Sequence, residues 1–244
     1  MHKRRLATTA LILLSLLCTG SLAPADIPSC ARIKGIARVK QLRNYCGPAV
    51  LASILQFLGE KTSQEAVGKA IYDSASGATN GADMLLYARE RGFAAYSWNA
   101  DIDDVKDKIA QGIPVIVLQQ NSFTDTSGHY RILTGYDDAA RKFDVIDPYY
   151  DYITQISYAD CERLWTSMGN WALLIVPAAR DRFKEELGER NPVVHMDLAY
   201  ANYKRREYQI ALNEANLALN LEPRNSFALS MLDKIQHAIG AGAR

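Results

Sequence analysis

The hydrophobic periodicity of the chain changes near residue 113, and this change restricts the fold more than any other feature of the sequence. Before it, apolar residues recur at helical spacing, and after it come short runs rich in β-branched residues. The predicted helices cover 47–58, about 62–72, 82–91 and 101–111, and the predicted strands cover 93–98, 113–120, 129–136, 142–150 and 170–177. Helices followed by strands indicate an α+β fold with an antiparallel sheet.

A second, all-helical unit is predicted after a charged connector that begins near residue 180. Its spacing of alanines, a tyrosine and a closing proline is typical of a tetratricopeptide repeat, which is about 34 residues long. The matching positions are Leu198, Ala199, Tyr208, Ala211, Ala215, Ala218, Leu219 and Pro223. A generic helical hairpin is the alternative. We therefore expect a main domain at 26–180 and a helical unit at 190–244, which includes a third helix at about 227–239.

One repeat is short for a peptide-binding groove, since such units usually stack at least about three times. We therefore expect the helical unit to dock against the main domain or against a protein partner.

The first 25 residues have the layout of a secretory signal peptide. Basic residues come first, an apolar run follows at 6–18, and Ala23-Pro24-Ala25 fits a cleavage site. This predicts an exported protein, periplasmic or secreted, whose mature chain begins near Asp26. Lipid attachment at Cys18, at the end of the apolar run, is the alternative and would anchor the protein to a membrane.

Cleavage after residue 25 would remove three cations and no acid, changing the formal net charge from +1 to −2. A nucleic-acid partner is not expected, because such partners need clustered positive charge. Cys30, Cys46 and Cys161 would remain, an odd number for an oxidising compartment. They are either incidental buried cysteines or a Cys30–Cys161 disulfide with Cys46 left free.

Cys46 has the sequence surroundings of a nucleophile, because "CGPAVLASIL" places it at the start of an apolar helix. A thiol reacts as its thiolate, and both a helix N-terminus and a nearby imidazolium lower its pKa. His129, in "GHYRILTGYDD", is the histidine of the main domain, since His195 and His237 belong to the C-terminal helices.

Two further residues complete the candidate constellation. Asp147, in "VIDPYY", ends the strand expected to pair with the His129 strand and could orient the imidazole. Gln41, five residues before Cys46, could donate its side-chain amide to an oxyanion, together with the backbone N–H of Cys46. Asp-Pro is also a common turn signal, and a lone glutamine carries little information.

Together these segments resemble the C39-like branch of the papain-like cysteine peptidases over about residues 36–177. The resemblance implies a papain-like fold in which Cys46 is the nucleophile, His129 the general base and acid, Asp147 the orienting residue and Gln41 the oxyanion donor. Better-known members precede the membrane domains of peptide-exporting ABC transporters and cut after double glycine. This sequence shows no membrane domain and no nucleotide-binding motif, and its glutamine lies one residue nearer the cysteine than is usual in those members. Their double-glycine preference therefore does not carry over.

The sequence thus predicts a cysteine peptidase that cleaves a peptide or isopeptide bond through a thioester. No cofactor is expected, and the cysteines and histidines are too scattered for a structural zinc site. The partners expected are a peptide or protein substrate and a protein bound by the tetratricopeptide unit. Two alternatives remain open: acyl or peptidyl transfer from the same thioester, and a non-catalytic peptide-binding adaptor.

Overall fold

The computed structural model describes residues 27–242, so the predicted signal peptide and Cys18 lie outside the described residues. The strands are Cys30–Arg32 (β1), Tyr72–Asp73 (β2), Ala78–Thr79 (β3), Phe93–Asn99 (β4), Val115–Gln120 (β5), Gly128–Asp137 (β6), Lys142–Ile146 (β7), Gln155–Ser157 (β8) and Trp171–Pro177 (β9). The helices are Cys46–Phe57 (α1), Gln64–Ile71 (α2), Gly81–Glu90 (α3), Ile102–Ala110 (α4), Tyr158–Thr166 (α5), Pro192–Lys204 (α6), Tyr208–Leu221 (α7) and Ser226–Gly242 (α8).

A seven-stranded antiparallel sheet forms the centre of the main domain. Its order is β4-β9-β5-β6-β7-β8, and β1 pairs with the far end of β6. β6 is held by β5 on one side and by β7 on the other, and all but its two end residues are buried. The mixed helical and antiparallel architecture expected from the sequence is confirmed. β6, which is paired on both sides, carries His129.

The local signals explain where the helices begin. The Ser63 side chain accepts a hydrogen bond from the Ala66 N–H and caps α2. Asp101 and Asp104 form a reciprocal capping box at the start of α4, which satisfies two otherwise unpaired backbone donors. α1 is buried along most of its length and packs on β6, as its continuous apolar sequence requires.

The structure adds elements that periodicity did not predict. These are β1, the β2–β3 hairpin in the expected loop at 73–80, β8 and α5. β7 is shorter than the predicted strand at 142–150 and ends at Ile146, so Asp147 and Pro148 lie in the turn that follows. Two- and three-residue strands bury too few residues to produce a periodic pattern.

The proposed Cys30–Cys161 disulfide is wrong, because all three cysteines of the described residues are free. Cys30 is paired with Asp137 at one end of β6. Cys161 contacts the side chain of Gln119, which is paired with His129 at the other end of that strand. Eight residues of strand separate the two ends by roughly 25 Å, whereas the Cα atoms of a disulfide lie about 6 Å apart.

Helices α6, α7 and α8 form the C-terminal helical unit, in agreement with the predicted helices. α6 packs against α7 but also against α3 and β4 of the main domain. Val194 and Leu198 are buried in the main core, and Lys204 Nζ lies 2.8 Å from Asp83 Oδ2 across the junction. The unit is therefore docked on the main domain, while its identity as a tetratricopeptide repeat stays a prediction.

No helix within residues 27–242 combines the length and the apolar character needed to cross a bilayer.

Candidate active site

Cys46 is the first residue of α1, and its side chain is half-buried. Pro48 fits the first helical turn, where its missing N–H costs no hydrogen bond. Gly47 permits a close approach of two segments, since a Cβ atom there would lie 2.8 Å from Cβ of Thr79. The partial positive charge of a helix N-terminus favours a thiolate at this position.

The polar neighbours of Cys46 lower the pKa of its thiol. Burial by itself raises this pKa, but hydrogen bonding to His129, the charge of His129 and the backbone N–H groups of Tyr130 and Gly47 lower it by more. The pKa of the His129 imidazole is raised: burial lowers it, whereas Asp147 and Cys46 raise it by more. These opposite shifts favour a thiolate–imidazolium pair.

His129 is the second residue of β6 and lies opposite Gln119 of β5. Its Nε2 atom is 3.0 Å from Oδ1 of Asp147, and both side chains are buried. Because Nε2 is engaged in this way, Nδ1 is the ring nitrogen left to exchange a proton with Cys46. The strand pairing holds the ring in place from two sides.

Asp147 directly follows β7, so the β6–β7 hairpin returns it to His129. Its Oδ1 atom also accepts hydrogen bonds from the backbone N–H groups of Tyr149 and Tyr150, at 2.8 and 2.9 Å. Burial raises the pKa of the carboxyl group, but the hydrogen bond and charge of His129, the Tyr150 amide and the charge of Arg131 lower it to about 2. Asp147 is therefore ionised at neutral pH.

Arg131 is a site residue that the sequence reasoning missed. Its Nε atom lies 2.8 Å from Oδ2 of Asp147, and the side chain is buried. The remaining guanidinium donors reach Oε1 of Gln119 and the carbonyl oxygens of Gln120 and Asn121. Its position two residues after His129 was a usable signal, because alternate residues of a strand share one face.

A strap of backbone, residues 38–42, holds Gln41 beside the site. The side chain of Gln64 binds this strap on both sides of Gln41, accepting from the Leu42 N–H at 2.9 Å and donating to the Lys40 carbonyl at 2.8 Å. The Gln41 N–H donates to the Pro148 carbonyl at 2.9 Å. Arg38 donates to the carbonyl oxygens of residues 147–149, which ties the strap to the turn that carries Asp147.

One cleft of about 940 Å³ brings these groups together, since Gln41, Cys46 and His129 all line it. The cleft is polar and apolar in nearly equal parts and is open to solvent. Trp171 and Asp197 line another part of its wall, and Asp197 belongs to α6 of the helical unit. Buried Asp147 supports the cleft from behind His129. Oε1 of Gln41 is buried without a hydrogen-bond partner, a feature that native structures seldom keep outside functional sites.

The structure therefore brings together all four residues singled out in the sequence. A thiolate paired with an imidazolium, and an imidazole fixed by a carboxylate, can attack a carbonyl carbon and return a proton to a leaving group. Within residues 27–242, no three His, Cys, Asp or Glu side chains are grouped so that they could hold a metal ion.

Comparisons with known proteins show a family and a shared fold. The model of a family described as the Peptidase_C39 like family matches residues 33–173. A solved Bacillus anthracis protein assigned as a C39-like peptidase is 15% identical with a TM-score of 0.50, covering 60% of this chain and 97% of its own. At that identity, the likeness shows a shared fold.

Two further solved structures are similar to a lesser degree. The peptidase domain of Streptococcus ComA, a bi-functional ABC transporter of a quorum-sensing pathway, is 24% identical with a TM-score of 0.48, covering 59% of this chain and 99% of its own. A double glycine motif protease from an AMS/PCAT transporter, solved with a leader peptide, is 20% identical with a TM-score of 0.47, covering 61% and 95%. No curated protein matches the chain.

Proposed function

The chain belongs to the Peptidase_C39 like family, and from this premise we propose that it is an exported cysteine peptidase acting on a peptide or isopeptide bond. The observation that carries the proposal is that Cys46 and His129 line one cleft, with Asp147 bonded to the imidazole from behind. The lowered pKa of the thiol and the raised pKa of the imidazole support the same assignment.

In the first step the sulfur of Cys46 attacks the carbonyl carbon of the scissile bond and forms a tetrahedral intermediate. Its oxyanion accepts hydrogen bonds from the backbone N–H of Cys46 and the side-chain amide of Gln41. The C–N bond then breaks, and the His129 imidazolium gives its proton to the leaving amine. The products of this step are a free amine and a thioester on Cys46.

In the second step His129 accepts a proton from water, whose oxygen attacks the thioester carbon. The C–S bond breaks, the carboxylic acid product leaves and Cys46 returns to its thiolate. Asp147 orients the imidazole and stabilises its charged form throughout, and its pKa of about 2 keeps it from taking the proton. His129 relays both protons of the cycle, giving one to the leaving amine and taking one from water.

The enzyme is proposed to act outside the cytoplasm and to carry a helical repeat at its C-terminus. Export rests on the basic, apolar and small-residue order of residues 1–25. The protein works in the periplasm or outside the cell, with Cys18 as the point of attachment if it is lipidated. The helical unit is proposed to be a single tetratricopeptide repeat, supported by the buried alanines Ala199, Ala211, Ala215 and Ala218 between its helices.

The decisive experiment is alkylation of the intact protein with iodoacetamide, read residue by residue by mass spectrometry. Exposed Cys30 is an internal reference within the same chain. We expect Cys46 to react faster than Cys30 at pH 6–7, and His129→Ala to abolish that advantage. Slow labelling of Cys46 that does not depend on His129 would favour the non-catalytic adaptor.

Incubation of the mature protein with a peptide library and candidate amines then separates hydrolysis from transfer. Hydrolysis yields two peptides with a new carboxylate and a new amine. Transfer instead yields an adduct of the acyl part with the added amine, and its predominance would overturn the assignment as a peptidase.

A further inference from the structure

Asp197 is a charged residue in the wall of the cleft that contains Cys46 and His129, yet it lies outside the segment shared with the family. The family match ends at residue 173, whereas Asp197 is in the middle of α6. The side chain is half-buried and lines the cleft. The helical unit therefore supplies part of the active-site wall.

Trp171 fixes the Asp197 carboxylate in this wall. Its indole Nε1–H donates to Oδ2 of Asp197 at 2.8 Å. The indole ring lies so close to Gly81 that a Cβ atom there would come within 2.4 Å of it, and its edge meets the ring of Tyr130 at a centroid distance of 5.8 Å. Tyr130, Trp171 and Asp197 all line the cleft that contains Cys46 and His129.

The negative charges of Asp197 and Cys46 both affect the pKa of Tyr130. Burial raises the pKa of Tyr130 far above its usual range, and the negative charges of Cys46, Asp197 and Asp83 raise it further. The Tyr130 hydroxyl donates to the Thr79 carbonyl, on the rim of the cleft. The charges of Cys46 and Asp197 are therefore both felt at the Tyr130 hydroxyl.

No cation of residues 27–242 pairs with Asp197. The nearby acid Asp83 has a partner, Lys204, at 2.8 Å, and Asp125, another acid of the cleft, is already bound by Asn121 and Ser127. The pKa of Asp197 is raised, because burial and the charge of Asp83 raise it by more than the Trp171 N–H lowers it. A half-buried carboxylate without a counter-ion is costly unless a cation binds beside it.

We propose that Asp197 forms a subsite for a positively charged nitrogen of the substrate, so that the helical unit selects peptides with a basic group near the scissile bond. The cation is a lysine or arginine side chain or a free α-amine. The inference rests on the proposed peptidase function, and its tests are chosen so that the two fail separately.

The first test compares cleavage of two peptide pools by the full mature protein. The pools are identical except that one carries lysine and the other norleucine at each randomised position, and each is prepared with free and with acetylated N-termini. We expect the wild type to prefer lysine over norleucine about tenfold at one position. A lysine preference that persists after acetylation would assign the subsite to a side chain, whereas slower cleavage of the acetylated peptides in both pools would assign it to an α-amine.

Asp197→Asn should bring the lysine-to-norleucine ratio close to 1 while norleucine peptides are still cleaved. Asp125→Asn is the matched control, because it removes another acid of the same cleft, and it should change the ratio less than Asp197→Asn. An unchanged ratio in Asp197→Asn, or a wild type without any preference for the cation, would overturn the proposal.

The second test does not depend on catalysis. In a Cys30→Ser background, Cys46 is modified by cationic 2-aminoethyl methanethiosulfonate and by neutral methyl methanethiosulfonate, and the two rates are compared as a ratio. Both reagents need the same thiolate, so the ratio reports the local attraction for a cation. We expect Asp197→Asn to lower it about two- to fivefold and Asp125→Asn to lower it less.

An equal ratio in the wild type and Asp197→Asn would overturn the subsite. A wild type that cleaves no peptide but keeps the Asp197-dependent ratio would instead retain the cation subsite and overturn the peptidase function.

Discussion

Nε2 of His129 lies 3.0 Å from Oδ1 of Asp147, although the two residues are separated by 18 positions in the chain. The same carboxylate is held by two backbone N–H groups and by Arg131, so its oxygens are fixed before any substrate arrives. The imidazole is thereby oriented with its other nitrogen available to Cys46. Preorganisation of this kind spares the reaction the cost of ordering the groups.

Replacing His129 with alanine should raise the pKa of the Cys46 thiol. The imidazole contributes both a hydrogen bond and a positive charge that lower this pKa, and without them burial dominates. The thiolate fraction at pH 7 should therefore fall. The measurement is the alkylation rate of Cys46 as a function of pH, with Cys30 as the reference. Superimposable pH curves for the wild type and the variant would contradict the ion pair.

Asp147→Asn should reduce kcat/KM by about two to four orders of magnitude, because an amide neither orients nor stabilises the imidazolium. It should also lower the free energy of unfolding by about 3 kcal/mol, since it leaves the buried charge of Arg131 unpaired. Peptide cleavage and denaturant unfolding measure the two effects. Asp144→Asn, which removes a partly exposed pair with Arg32, is the control and should cost at most about 1 kcal/mol. If Asp147→Asn loses stability but keeps activity, the residue is purely structural.

Acid should destabilise the wild type more than Asp147→Asn. The pKa of this carboxyl group falls from 3.8 to about 2 in the folded protein. Its contribution, about 2 kcal/mol, is therefore present above pH 4 and is lost as the pH falls through 2. Denaturant unfolding between pH 5 and pH 2 should show the two stability curves converging. Parallel curves over that range would mean that Asp147 is not linked to the acid transition.

Gln41→Ala should lower kcat about 10²- to 10³-fold, with a smaller change in KM, if its amide stabilises the oxyanion. Alkylation of Cys46 by iodoacetamide should remain fast, since that reaction forms no tetrahedral intermediate. Gln64→Ala should show the same pattern more weakly, because Gln64 only positions the strap around Gln41. A Gln41→Ala enzyme with unchanged kcat would remove Gln41 from the mechanism.

Leu198→Ala should destabilise the whole protein by about 2–5 kcal/mol, because Leu198 is buried in the main core although it belongs to the helical unit. The expected fall in Tm is about 2–4 °C for each kcal/mol. Leu217→Ala is the control in the same unit, where the side chain is 44% exposed, and it should change Tm by no more than about 2 °C. Equal effects of the two substitutions would mean that the helical unit folds independently of the main domain.

The sequence predicted the larger elements of the fold because long periodic runs report burial directly. β6 was expected at 129–136 and spans Gly128–Asp137, and α4 begins at the capping residue Asp101 that the sequence indicated. The meeting of His129 and Asp147 was also predictable, since a short hairpin places the ends of two paired strands side by side. Short elements such as β1 and the β2–β3 hairpin left no periodic signal.

The support of the site was not predictable in the same way. Gln64 acts through a contact with a residue 24 positions away, and no local pattern encodes such a pair. Arg131 could have been found only from its place on the strand face of His129. Asp197 is an ordinary helical aspartate in the sequence and joins the cleft only because α6 docks on α3 and β4. The disulfide hypothesis was wrong for a related reason. The number of cysteines does not show that Cys30 and Cys161 lie near opposite ends of β6, too far apart to be bonded.

The bond from Trp171 to Asp197 spans the boundary where the segment common to the family stops. A chimera joined at that boundary would leave the indole N–H of Trp171 without an acceptor, unless the new tail placed an oxygen where Oδ2 of Asp197 lies. Recombination there would also replace one wall of the cleft in a single genetic event. The peptidase core would keep its sequence, but different side chains would contact the substrate.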